Sequence, residues 1–169
     1  MTLKTIMILA LLVLTASSPM RPVISPIITG LDVGDHVLAV TYDYVTDAPE
    51  TASVYPSLRD KATGLFAHEH LAGQYYKDIK TGQKIVLAYS DGTQAVYTVV
   101  AIRIFKATIP YGQHADESHF IEYPSKREYT RYQLMTELLQ DGNLVLMTCQ
   151  SYDGVLWGRL AIIAERRQT

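Results

Sequence analysis

The apolar residues of this chain fall in short runs bounded by polar and turn-forming residues, a pattern that predicts strands rather than long helices. Residues 36–45, rich in β-branched and tyrosine side chains, read as one strand and 63–68 as another. Residues 83–90 and 94–105 flank Ser90-Asp91-Gly92-Thr93, a hairpin with Asp-Gly at its turn. The runs at 143–149 and 155–165 complete the set. Residues 47–51 are turn material, and a short helix is expected within 53–61. The clearest helix is 130–140, with Thr130 and Gln133 as a capping box, Leu134, Met135, Leu138 and Leu139 on one face, and Asp141-Gly142 as the stop. Residues 106–129 are polar and tyrosine-rich without a clear period, and read as one long connection. Seven or eight strands with little helix favour a closed or nearly closed barrel over an α/β sheet.

The N-terminus has a different character. Lys4, the nine apolar residues from Ile6 to Leu14, and the small residues Thr15-Ala16-Ser17-Ser18 make 1–18 an export signal or a short N-terminal anchor. That run is shorter than the ~20 residues of a spanning helix. Residues 19–34, with Pro19, Pro22 and Pro26, read as an extended linker, and 35–169 as one domain. The domain is therefore expected outside the cytoplasm, at the cell surface or secreted. A net charge of −2 carries no nucleic-acid footprint. No phosphate cradle is present, because Asp91-Gly92 is a turn, and no cofactor is expected.

Export changes the meaning of the chain's single cysteine. Exported proteins use cysteines in pairs, so Cys149 reads as an intermolecular partner or a free reactive thiol. It ends the apolar run Leu144-Val145-Leu146-Met147-Thr148, where the chain turns polar. Arg159 sits inside the next apolar run, and a guanidinium there needs a partner or an opening. Two adjacent strands would set the thiol and the cation side by side. The structural alternative is a buried cysteine acting as a small hydrophobe, with Arg159 facing outward. His68 and His70, at i and i+2, would share one face of a strand; with His114, Asp116, Glu117 and His119 they keep a metal site open as a further alternative.

Three segments then carry a resemblance. Leu-Phe-Ala-His-Glu-His-Leu-Ala-Gly at 65–73, Leu-Val-Leu-Met-Thr-Cys at 144–149 and Trp-Gly-Arg-Leu at 157–160 resemble, in the same order, the histidine, cysteine and arginine signatures of sortases. The resemblance spans roughly 35–165 and implies a mainly β fold, a sortase-like closed β-barrel of about eight strands with one or two short helices. It implies a transpeptidase site with Cys149 as nucleophile, His68 as general acid and base, and Arg159 as stabiliser of substrate and oxyanion. Thr148, beside the nucleophile, matches the threonine that helps to hold the acyl group; His70 and Trp157, flanking the other two signatures, are further candidates for substrate contact. The implied partners are an exported protein with a short C-terminal sorting motif and an amine acceptor, met by a monomer with membrane association through its N-terminus. Glu69 departs from the family's asparagine, and a carboxylate there would favour a charged His68 or point to solvent. Papain-like peptidases place cysteine before histidine, and L,D-transpeptidases carry a His-Gly pair before theirs, so neither fits. The alternative of another class is a non-catalytic exported barrel that binds a protein or envelope ligand.

Overall fold

The computed structural model describes residues 25–43, 47–55, 62–109, 119–152 and 155–166. The strands are β1 (Ile28–Val33), β2 (His36–Thr41), β3 (Thr51–Tyr55), β4 (Thr63–Ala67), β5 (Lys84–Tyr89), β6 (Gln94–Ala107), β7 (His119–Tyr123), β8 (Glu128–Thr130), β9 (Asn143–Tyr152) and β10 (Val155–Arg166). A 3-10 turn at Ala72–Tyr76 follows β4, and the helix α1 (Arg131–Leu138) follows β8.

Neighbouring strands run β10-β9-β4-β3-β2-β1-β5-β6, and β6 pairs back onto β10, so these eight close into a barrel. The ring is antiparallel except at β2–β3 and β4–β9. Its long strand β6 leaves β5 after Thr98 and runs on with β10, and from Ile104 to Ala107 it also carries β7. The hairpin β7–β8 thus extends the sheet beyond the barrel. This is the barrel of about eight strands with little helix that the sequence predicts.

Alternation along β9 and β10 divides the core in two. Leu144, Leu146, Leu160, Ile162 and Ala164 point inward to Leu31, Leu38, Leu65, Ile85 and Leu87, the barrel filling. Val145, Met147 and Ala161 point the other way and pack with Phe105, Phe120, Tyr129, Leu134, Met135 and Leu138. Each such side chain contributes about 1.5–3 kcal/mol on burial, enough to seat α1 and the β7–β8 hairpin on the barrel's outer face. A polar anchor adds to this. Arg103 of β6 donates to Glu122 of β7, and through Nη2 to the Tyr129 hydroxyl and to Glu137 of α1, both at 2.8 Å. Thr130 caps α1: its hydroxyl accepts from the Gln133 N–H at 3.2 Å, and the Gln133 amide oxygen accepts from the Thr130 N–H at 2.9 Å. The predicted capping box is present.

Three expectations change. The linker expected over 19–34 ends earlier, because Ile28–Val33 is β1, paired with β2 and β5. Its buried Ile28, Leu31 and Val33 are spaced by more exposed residues, a sparse apolar pattern that the preceding prolines obscure. Thr51–Tyr55 is a strand where a helix was expected to begin; residues 56–61 lie outside the described residues. The connection expected over 106–129 holds β7 and β8, which bury only Phe120 and Tyr129 below 9 % exposure and leave the other positions more open. Residues 1–24, with the export signal, also lie outside the described residues, as do His114, Asp116 and Glu117.

Candidate active site

The site forms where β4, β9 and β10 meet beneath α1. Cys149 pairs with Arg159 on one rung of the β9–β10 ladder, so both side chains leave the same face of the sheet. Arg159 Nη1 donates to Cys149 Sγ at 3.1 Å and to the Gly158 carbonyl at 3.1 Å. Arg159 as a whole is 9 % exposed. Adjacent strands therefore do set the thiol beside the cation.

β4 runs parallel to β9, with Ala67 opposite Thr148, and this brings the next residue, His68, toward the end of the Cys149 strand. The His68 carbonyl accepts from the N–H groups of Leu71 and Gly73, at 3.0 and 2.9 Å, closing the chain into the 3-10 turn. Gly73 is required there. A Cβ would lie 2.6 Å from the His68 carbonyl oxygen and 2.9 Å from that of Ala67, and would strike the Thr148 hydroxyl. His68, Cys149 and Arg159 all line one cavity of about 250 Å3, whose other walls are chiefly apolar: Tyr55, Phe66, Phe120, Leu134, Met135 and Met147, with Arg131 among them. His68 Nε2 also lies 3.3 Å from Asp47, a carboxylate 97 % exposed and hence weak in effect.

The remaining predicted residues are placed differently. Thr148 has the parity of Leu144 and Leu146 and is buried in the wall of the barrel, its hydroxyl donating to the Ala67 carbonyl at 2.8 Å. It braces β4 against β9 on the face away from the thiol. His70 is exposed in the turn after β4, its ring centroid 5.8 Å from that of His68; the two do not share a strand face. No cluster of three potential metal ligands occurs among the described residues. Trp157 is skipped where the β10 register shifts between Leu156 and Gly158. It lines a separate depression of about 250 Å3 with Glu69, Lys77, Gln150 and Ser151.

The electrostatics centre on the thiol. Burial pushes the Cys149 thiol above its ordinary range; the Arg159 charge and hydrogen bond pull it back, and the Glu69 charge pushes it up further. Glu69 does not point to open solvent. Its Oε1 accepts from Lys77 Nζ at 2.7 Å and from the Ser151 N–H at 3.0 Å, and its Oε2 accepts from the Ser151 hydroxyl at 2.6 Å. Burial raises that carboxyl, but these bonds and the Lys77 charge outweigh burial and hold it below the usual carboxylate range. The contacts of Glu69, and the cavity walls from Tyr55, Phe120 and Met135, come from residues far apart in sequence. No local motif announces them.

The chain has the sortase fold. No protein-family model and no curated protein matches its sequence. Among solved structures it is similar to sortase A from Corynebacterium diphtheriae, with a TM-score of 0.57 and 19 % identity over 85 % of this chain and 62 % of that one. It is similar also to sortase C from Clostridium perfringens SM101, with a TM-score of 0.52 and 17 % identity over 84 % of this chain and 71 % of that one. Group B Streptococcus Pilus Island 1 sortase C2 matches at a TM-score of 0.51 and 14 % identity, over 82 % and 73 % of the two chains. This chain thus spans less than two thirds of the sortase A structure.

Proposed function

We propose that this chain is a cysteine transpeptidase of exported proteins, cleaving a short sorting motif and transferring the acyl group to an amine or to water. The observation that carries the reading is the Arg159–Cys149 contact of 3.1 Å on a shared rung, with His68 on the same cavity. The Cys149 thiol gives its proton to His68 and attacks the peptide carbonyl carbon, forming a C–S bond and an oxyanion. Arg159 is a fixed donor for the thiolate and for that oxyanion. The C–N bond breaks, His68 passes the proton to the leaving amine, and a thioester remains on Cys149. An incoming amine gives a proton to His68, attacks the thioester and releases the thiolate, which takes that proton back.

The apolar cavity suits the acyl donor, whose sequence around the cleaved bond would be apolar. His70, in the turn beside His68, and Trp157, in the depression it shares with Glu69 and Ser151, would contact parts of the two substrates beyond the reacting atoms. An export signal over 1–18 would put the reaction outside the cytoplasm, with the N-terminus as the route to a membrane. No helix among the described residues is long and apolar enough to cross one.

The test is intact-protein mass spectrometry after incubation with a pooled peptide library, with hydroxylamine as the acceptor amine. The expected result is an acyl adduct on the wild-type chain that hydroxylamine removes and that Cys149→Ala never forms. Arg159→Met should lower the rate of adduct formation by roughly 10²-fold. An adduct that persists in Cys149→Ala, or a thiol that alkylates only after denaturation, would leave a non-catalytic binding barrel as the better description.

A further inference from the structure

We infer that Glu69 is a positioning residue: its carboxylate ties the turn that carries His68 to the end of the strand that carries Cys149. The inference rests on the Cys149–His68–Arg159 reading above. Three elements converge on one carboxylate. Glu69 belongs to the turn after β4, Ser151 lies two residues beyond Cys149 on β9, and Lys77 caps the 3-10 turn. Every bond that Glu69 receives is charge-assisted, and one comes from backbone N–H in the Cys149 strand itself. The Glu69 side chain is 14 % exposed, so solvent screens these bonds less than it would a surface pair.

The geometry makes the histidine's place depend on this side chain. The His68 carbonyl is held by Leu71 and Gly73, which fixes the turn internally. Among the side-chain hydrogen bonds of the described residues, only those of Glu69 fasten the tip of that turn to β9 at Ser151. Ser151 adjoins Gln150, the immediate neighbour of Cys149. Losing the carboxylate would free the turn to swing away from the thiol while the barrel stays closed.

Among the described residues, the charged and titratable groups that line the cavity of Cys149 or act on its thiol are Arg159 from β10, Glu69 from the turn, His68 at the end of β4, Tyr55 from β3 and Arg131 from α1. Arg159 favours the thiolate and Glu69 disfavours it. Burial is the main reason the thiol form is favoured, and the Glu69 charge adds to it while its bonds hold the histidine's turn to β9. The two effects separate under substitution. Glutamine keeps the shape and an acceptor for the Ser151 N–H but removes the charge; alanine removes both.

The test is the pH profile of iodoacetamide labelling of Cys149 in the full chain, where it is the only cysteine. Glu69→Gln should move the labelling midpoint to lower pH and so speed labelling at a fixed pH below it. His68→Ala should still change the profile in that background. Glu69→Ala should move the midpoint the same way but leave the profile indifferent to His68→Ala. Should Glu69→Ala fail to fold, Ser151→Ala breaks one arm of the clamp and should weaken the His68 dependence without moving the midpoint as far. A midpoint unmoved or raised in Glu69→Gln, or a His68 effect as large in Glu69→Ala as in wild type, would overturn the inference. Failure of the transpeptidase reading is seen separately, as absence of the acyl adduct with a labelling profile that still depends on Glu69.

Discussion

Gly158→Ala tests whether the site depends on how closely β6 approaches β10. Gly158 precedes Arg159 and pairs with Lys106, and on that rung the two backbones leave no room for a side chain. A Cβ there would fall on the Phe105 carbonyl oxygen, 2.9 Å from the Phe105 carbonyl carbon and 3.1 Å from the Lys106 Cα. These are backbone atoms of a paired strand, so no rotamer change relieves the clash and the strands must part. Overpacking of this kind costs about 1–3 kcal/mol, and each ladder bond lost adds about 1 kcal/mol. Relief of glycine's unfolded-state entropy returns about 0.5–1 kcal/mol. The expected net loss is about 2–4 kcal/mol, or roughly 6–12 °C in Tm. Because Arg159 pairs with Phe105 on the next rung, its guanidinium should also move off Cys149 Sγ and the thiol should label more slowly at a given pH. Thermal unfolding by circular dichroism and the alkylation profile read the two effects. Gly82→Ala is the control, since nothing lies within 4 Å of its Cβ position and only its positive φ is strained. A Gly158→Ala chain within about 0.5 kcal/mol of wild type, with an unaltered thiol profile, would refute the argument that this approach holds the Cys149–Arg159 rung.

Thr148→Val should remove the hydroxyl that serves the buried Ala67 carbonyl and cost about 1–3 kcal/mol, while the Cys149 labelling profile stays where it is. A valine variant of normal stability that forms the acyl adduct poorly would instead make Thr148 a substrate contact. Glu122 is held below the usual carboxylate range by its hydrogen bond from Arg103, against the opposing effect of burial, and by Ser125 and the Arg103 charge. With the folded value depressed, the unfolded chain binds more protons as pH falls; this stabilisation is complete above the ordinary glutamate range and is lost progressively below it. Urea midpoints measured from about pH 6 to pH 3 should fall on the acid side, and Glu122→Gln should flatten that fall. An acid limb of the same slope in the variant would mean that the Arg103 cluster does not set it.

What the sequence made legible follows from where the chemistry is local. The hairpin at Asp91-Gly92 and the capping box at Thr130 are short-range hydrogen-bond patterns, and both stand where expected, with Asp91 accepting from the Thr93 N–H at 2.9 Å. The thiol and the guanidinium were legible because two consecutive apolar strands carry them, and a hairpin sets register over a short distance. β1, β7 and β8 were not, because β1 buries three side chains and β7 and β8 one each, and the remaining positions are more exposed. The strand state of β1 comes from pairing with β5 and β2, that of β7 from β6, and that of β8 from β7, partners that local periodicity does not name. Glu69 was legible as a departure from a motif but not as a clamp, since Ser151 lies 82 residues away.

Strand parity separates the threonine beside Cys149, which faces the barrel, from the arginine ten residues on, which shares the face of the thiol. Successive side chains on a strand face opposite ways, so a residue next to Cys149 in sequence is on the wrong face of the sheet, whereas the residue paired with it across the ladder is on the right one. The site is therefore a property of register, and two irregularities frame it. In β10 the shift at Trp157 sets Gly158 opposite Gln150 and Arg159 opposite Cys149. In β6 the pairing jumps from Val99 to Ala101, so that Ala95, Tyr97 and Val99 fill the barrel while Phe105 and Ala107 face the helix. That change of face lets one strand close the barrel and then carry the outer wall of the cavity. A one-residue slip at either place would turn a chemical group into a core group, which makes the bulges as much a part of the site as the thiol.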